Sequence, residues 1–204
     1  MGRTGSSRER LVDAGAAMFG RQGFHGTGVK QLVTAARAPF ASLYHFFPGG
    51  KEELAAEAVR RAGAAYAAIV MVHFPPGVDV AAATEAAFAG AADYVRDSGY
   101  EDACPIATVA LELSSTSEPV RFACADVFEG WIDGLSAVFV AGGIPDEHAR
   151  PLALQWLSLL EGAFIFCRAS RRTEALATAG VAAAALVRTA QQRAPDQCSP
   201  GVCS

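Results

Sequence analysis

Apolar residues recur at helical spacing along most of this chain, and the pattern is tightest between residues 27 and 51. Val29, Leu32, Val33 and Ala36 give a short helix one apolar face. Thr27 stands where an N-cap belongs, its hydroxyl able to hold an orphan backbone N–H. Pro39 is excluded from a helix interior but suits a first turn. The first helix should therefore stop near Arg37 and a second begin near Pro39. Along the second, Leu43, Phe46 and Phe47 point inward, leaving Phe40, Ser42, Tyr44 and His45 on the other face. Two short helices joined by a tight turn form a helix-turn-helix, whose second helix enters the DNA major groove.

The rest of the chain reads as further helices. Ser6 and Glu9 have capping-box spacing. Leu11, Ala14, Met18 and Phe19 form the stripe of a helix that Gly23 ends. Gly49-Gly50 break the chain, and Lys51 opens a connecting rod to about Val72, stopped by Pro75-Pro76-Gly77. Asp79 caps a helix to about Asp97; Cys104-Pro105 opens one to near Ser114. Ser117-Glu118-Pro119 starts another, to about Val140. The last two span about Asp146–Arg168, with Pro151 in its first turns or at its true start, and Thr173–Gln192. No strand pattern or internal repeat is present. The predicted fold class is all-α, with about nine helices. It comprises a three-helix helix-turn-helix domain at 6–51, a ligand-binding and dimerisation domain at 52–192, and a disordered tail at 193–204, with residues 1–5 loose.

Two features of the body carry function. Leu152 to Cys167 is apolar around too much of its circumference to pack on one neighbour. The following helix is rich in alanine, leaving Leu176, Val181, Leu186 and Val187 as knobs. The economical reading is a two-fold bundle between two copies, a homodimer. The middle helices should enclose a cavity, with Tyr66, Phe88, Cys104, Glu112, Phe128, Trp131 and Phe164 as candidate ligand-binding residues. For any one aromatic the plain-core alternative stands beside this. Glu112 and Glu161 sit in apolar runs and each needs a partner. For Glu112 that is a ligand, an internal polar group or a structural contact; for Glu161 the dimer interface is preferred.

Charge changes the picture at the N-terminus. Residues 1–51 hold seven basic and two acidic side chains, a net +5, whereas the remainder nets −9. A basic head on an acidic body fits a head that meets an anion. Arg8 and Arg10 could reach a DNA backbone or be solvated surface charge, and Lys51 could grip a phosphate at a helix N-terminus or simply be exposed. The five cysteines show no metal or redox spacing, and their odd number fits reduced thiols in the cytoplasm. The N-terminus lacks an apolar signal region, and the Leu152–Cys167 run is interrupted by Glu161-Gly162, so no membrane segment is expected. No cofactor motif is present. The Gly-Gly-Lys triplet lacks the spacing of a P-loop.

The stretch Gly23-Phe24…Thr27…Val29, with Ala38-Pro39…Ser42-Leu43-Tyr44-His45-Phe46-Phe47-Pro48-Gly49-Gly50-Lys51-Glu52-Glu53-Leu54, resembles the DNA-binding domain of the TetR family of bacterial repressors. Cys104-Pro105-Ile106-Ala107-Thr108-Val109-Ala110-Leu111-Glu112 resembles the C-terminal domain of its LmrA/YxaF-like subgroup. The resemblance implies a repressor released from a palindromic double-stranded DNA operator by a small apolar effector. The effector would swing the fourth helix and change the separation of the two recognition helices. It places Thr27, Gly28, Lys30, Arg37, Pro39, Phe40, Ala41, Ser42, Tyr44, His45 and Lys51 at the DNA. Lys30, Ser42, Tyr44, Lys51 and Thr27 would mainly hold phosphates; Phe40, Ala41 and His45 would read base edges. Arg37 stands where the turn usually has glycine, and Phe40-Ala41 where relatives often have lysine and glycine. The Phe40 substitution favours apolar contact with a thymine methyl over a donated hydrogen bond. The alternatives are a helical dimer that binds small molecules or protein partners without DNA, and an enzyme. For the enzyme the best candidate is Cys104, whose place at a helix start could lower its pKa.

Overall fold

The computed structural model describes residues 5–102 and 104–193, and the regular structure within them is entirely helical. In order these are α1 (Ser7–Gln22), α2 (Val29–Ala35), α3 (Phe40–Phe46), α4 (Gly50–Met71), α5 (Val80–Asp97), α6 (Pro105–Leu113), α7 (Glu118–Ala141), α8 (Asp146–Ser170) and α9 (Glu174–Gln192). The tail expected beyond Arg193, and all but Gly5 of the loose N-terminus, lie outside the described residues.

Local chemistry sets most of these boundaries. Glu9 N–H donates to Ser6 Oγ at 3.3 Å and Ser6 N–H to the Glu9 carboxylate at 2.7 Å, a closed capping box. Asp79 accepts from Ala81 and Ala82 N–H at the start of α5. Thr27 departs from expectation. The N-cap of α2 is Gly28, whose N–H donates to the Gln31 side chain at 2.8 Å. Thr27 is fully buried and its hydroxyl donates to Gly23 O at 2.7 Å, because the α1–α2 turn offers an acceptor inside the fold. Pro39 is the N-cap of α3, and Pro151 lies inside α8, which starts at Asp146.

One contiguous core joins head and body. Leu11, Phe19, Leu32, Leu43 and Phe47 fill the head, where α1 supports α2 and α3. Phe88, Ile106, Leu135, Phe139, Trp156 and Leu176 fill the body. Helix α8 is long and apolar enough to cross a membrane by length and composition. Its inward face, with Leu152, Trp156, Leu160 and Phe164, is buried against the rest of the chain. The alanine-rich seam of α9 is likewise used within the chain. Ala179, Gly180, Ala183 and Ala184 are buried where α9 packs on α5 and α8. A Cβ at Gly180 would stand 2.7 Å from Phe88 Cβ, so glycine sets how closely α9 approaches α5. Of the four predicted knobs, Leu176 and Val187 are buried here, and only Val181 and Leu186 face outward.

Candidate nucleic-acid interface and interior cavity

The turn between α2 and α3 closes on Arg37, which adopts the left-handed conformation (φ 49°) that glycine takes at no steric cost. Arg10 of α1 holds the turn from behind. Its Nε donates to Ala36 O at 2.9 Å, and its guanidinium also reaches Gly5 O, Ser7 Oγ and Arg37 O. Arg8 pairs with Glu57 on α4. Both arginines weighed as backbone contacts are thus occupied in bracing the head.

The outer face of this pair collects most of the expected DNA-binding residues. Gly28, Lys30, Arg37, Pro39, Ala41 and His45 are exposed, as are the rings of Phe40 and Tyr44, whose centroids lie 6.0 Å apart; Ser42 is half-buried among them. Two residues stand elsewhere. Thr27 is buried, so its side chain has no surface to offer a phosphate. Lys51 turns inward: Nζ donates to Phe24 O at 2.6 Å and lies 3.9 Å from the centre of the Phe24 ring. Burial lowers its pKa, partly opposed by the Glu112 carboxylate. A carbonyl and an aromatic face one turn away compete with any external anion for that ammonium.

The body encloses a cavity of about 360 Å³ between α4, α5, α7 and α8. Its wall is mainly apolar, with Leu135, Leu160 and Phe164, and its polar members include Tyr66, His73, Tyr94, Trp131, Cys104 and Glu161. Four of the expected ligand-binding residues meet there: Tyr66, Cys104, Trp131 and Phe164. Three do not. Phe88 is buried edge-on against Trp156 at 5.0 Å, behind the wall. Phe128 packs edge-on against Trp131 at 5.8 Å, on the side away from the cavity lining. Glu112 points to the head. Trp156, His73 and Glu161 were missed as lining residues; the apolar Leu152–Cys167 run that contains two of them was read as an interface between copies. Glu161 lines the cavity, where burial raises its pKa to about 7 against the lowering effect of the neighbouring Cys104 thiol. Burial pushes the Cys104 thiol well above its ordinary value, opposite to the lowering expected at a helix start. Cys124 moves up as well, to about 11. Among the described residues no three His, Cys, Asp or Glu gather as metal ligands.

Comparison with known proteins identifies the whole arrangement. Residues 11–58 match the model of bacterial regulatory proteins of the tetR family, and residues 80–182 match that of the C-terminal domain of LmrA/YxaF-like transcriptional regulators. The chain belongs to the TetR family. It is similar to the HTH-type transcriptional regulator YxaF of Bacillus subtilis, with 33% identity over 78% of this chain and 83% of YxaF. It is also similar to LmrA of the same organism, with 27% identity over 84% and 92% of the two chains. A crystal structure of regulatory protein TetR from Rhodobacter sphaeroides shares the fold, with TM-score 0.77 and 20% identity over 88% of this chain and 98% of that one. This protein is therefore a TetR-family DNA-binding transcriptional regulator, and regulators of this family are not enzymes.

In this TetR-family chain, two polar contacts tie Asp102 and α6 to the head, and the first of them reaches the cavity wall. The first is a chain of hydrogen bonds. Tyr66 and Tyr94, both lining the cavity, share one at 2.7 Å between hydroxyls. Tyr94 O–H reaches Asp102 at 3.3 Å, and Asp102 accepts a two-pronged fork from Arg21 of α1 at 2.8 and 3.2 Å. Arg168 of α8 donates to Arg21 O at 3.0 Å. The second is Glu112 of α6, whose carboxylate accepts the His25 backbone N–H at 2.8 Å. Neither contact carries a periodic signal, so neither was legible from spacing.

Proposed function

We propose that this regulator is a homodimeric repressor, working in the cytoplasm, that a small apolar effector releases from a near-palindromic operator. The effector-responsive part rests on one observation: the Tyr66–Tyr94–Asp102–Arg21 chain begins on the cavity wall and ends on α1. A ligand that displaces either hydroxyl changes what holds the head against the body. It must bind the released arrangement more tightly than the DNA-competent one, since only differential affinity shifts an equilibrium.

At the DNA, Phe40, Ala41 and His45 read base edges. Lys30, Ser42, Tyr44, Arg37 and the Gly28–Pro39 backbone region hold phosphates. Lys51 acts indirectly, by fixing the α1–α2 turn through Phe24. The dimer forms through the outward faces of α8 and α9. There Leu154, Ile165 and Phe166 on one helix and Val181 and Leu186 on the other are exposed hydrophobics. Such residues on adjacent helices match what a partner copy covers, and two copies place two recognition helices about one DNA turn apart.

Fluorescence anisotropy with a DNA fragment from the protein's own promoter region tests the reading. Tyr44→Ala and Lys30→Ala should each weaken binding about tenfold. Tyr94→Phe should leave DNA affinity near wild type but blunt release by a compound that fills the cavity. Unchanged binding in both DNA-face variants would remove the assigned interface; undiminished release in Tyr94→Phe would remove the relay.

A further inference from the structure

The cavity has an electrostatic character that its apolar wall conceals. Its lining includes no lysine or arginine among the described residues. Its indole and phenol donors are engaged within the protein, which leaves the His73 imidazole and the Glu161 carboxylate as the polar groups facing a guest. Trp131 Nε1 donates to Gly63 O at 3.0 Å, Trp156 Nε1 to Thr84 Oγ1 at 3.3 Å, and the two tyrosine hydroxyls lie on the path to Asp102. What the wall offers a guest is therefore an acceptor. Glu161 has two carboxylate oxygens with several lone-pair directions, more than the neighbouring Cys104 thiol can take up. The rings of Trp131, Trp156 and Tyr66 border the same space, and aromatic rings attract cations. A buried carboxylate without a cationic partner is costly, and a guest that brings the cation removes that cost.

Resting on the reading of this cavity as the effector site, we infer that its effector is a lipophilic cation, an apolar body carrying a protonated amine that pairs with the Glu161 carboxylate. An anionic guest finds no lysine or arginine there, and a neutral one leaves the Glu161 carboxylate without a cation.

Glu161 is faced by Cys104 from the cap of α6, and shares the cavity with Tyr66 and His73 from α4 and its C-terminal turn and with Tyr94 from α5. On its outer side lies a groove with Glu112 of α6 and Arg168 of α8, each already bonded to the head. The His73 imidazole shares this wall with Glu161, and the variants below separate the two. Because burial holds Glu161 partly protonated near pH 7, amine binding should strengthen as pH rises from 6 to 8.

The test uses the full chain and three probes of equal length: decylamine, decanol and decanoate. Their binding is read by quenching of Trp131 and Trp156 fluorescence at pH 6, 7 and 8. Wild type should prefer decylamine to decanol at least tenfold at pH 8, with the gap narrowing at pH 6 and decanoate weakest. Glu161→Gln should bring decylamine and decanol within about twofold of each other and leave decanol affinity unchanged. Any pH dependence left in that variant arises outside Glu161. Cys104→Ala, which removes the thiol that lowers the Glu161 pKa, should move the onset of amine preference to higher pH; it provides a second readout should Glu161→Gln misfold. Equal binding of decylamine and decanol, or an amine preference that survives Glu161→Gln, overturns the cationic assignment and leaves the cavity as an effector site. Failure of all three probes to bind wild type overturns both.

Discussion

Glu112 on α6 holds the backbone N–H of His25, in the turn between α1 and α2, at 2.8 Å. The fit around it is close. A Cβ at Gly23 would lie 1.8 Å from a Glu112 oxygen, and Gly23 itself has φ +74°. The body therefore grips the head through backbone. Glu112→Ala should loosen residues 23–27, costing about 0.5–1 kcal/mol for the lost hydrogen bond, because water reaches the exposed His25 N–H. Glu112→Gln keeps an acceptor oxygen and should recover most of that. Hydrogen exchange at the His25 amide distinguishes them: faster in the alanine variant, near wild type in the glutamine one. Equal protection in all three proteins would show that the contact bears no load.

Arg37 is the one residue in the helix-turn-helix that departs from the backbone its turn prefers, with φ 49° on a side chain that has a Cβ. Arg37→Gly should relieve about 1 kcal/mol of left-handed strain, offset in part by the greater freedom of glycine in the unfolded chain. The net expectation is a Tm raised by a few degrees in thermal melts. A lower Tm would mean that the guanidinium contributes more than the strain removes.

Glu161 makes stability depend on pH in a definite direction. Its folded pKa, about 7, lies above the ordinary 4.5. The folded state thus favours the protonated form. The stability this contributes is fully present below about pH 4.5 and is lost as pH rises through 7. At pH 8 Glu161→Gln should be more stable than wild type by on the order of 2 kcal/mol, and the two should converge near pH 4.5. Melts of both proteins across that range check it; a gap that widens towards acid would reverse the sign.

Phe166 and Val181 are among the most exposed large hydrophobics of the chain, at 69% and 64%. If α8 and α9 carry the dimer, Phe166→Glu with Val181→Glu should yield monomers with intact helicity, since a charge buried at an interface without a partner is costly. Light scattering and circular dichroism together provide the measurement. Dimers that persist at micromolar concentration would move the interface elsewhere.

What the chain determined by itself is most of what depends on near neighbours. The Ser6–Glu9 box, the Asp79 cap, Pro105 at a helix start and the Gly-Pro stops all act within a few residues, so the helices of the described residues could be read in order. The exposed face of α3 followed from the same periodicity. The tertiary structure decided which distant group each polar side chain would meet. Thr27, expected as an N-cap and phosphate contact, Lys51, expected at a phosphate or exposed, and Glu112, expected at a ligand, an internal polar group or a structural contact, all converge on the α1–α2 turn, where backbone carbonyls and an N–H take them as partners. The alanine seam of α9 closed on α5 because a neighbour in the same chain could come near enough, and α8 turned Glu161 to a cavity for which spacing alone carries no signal.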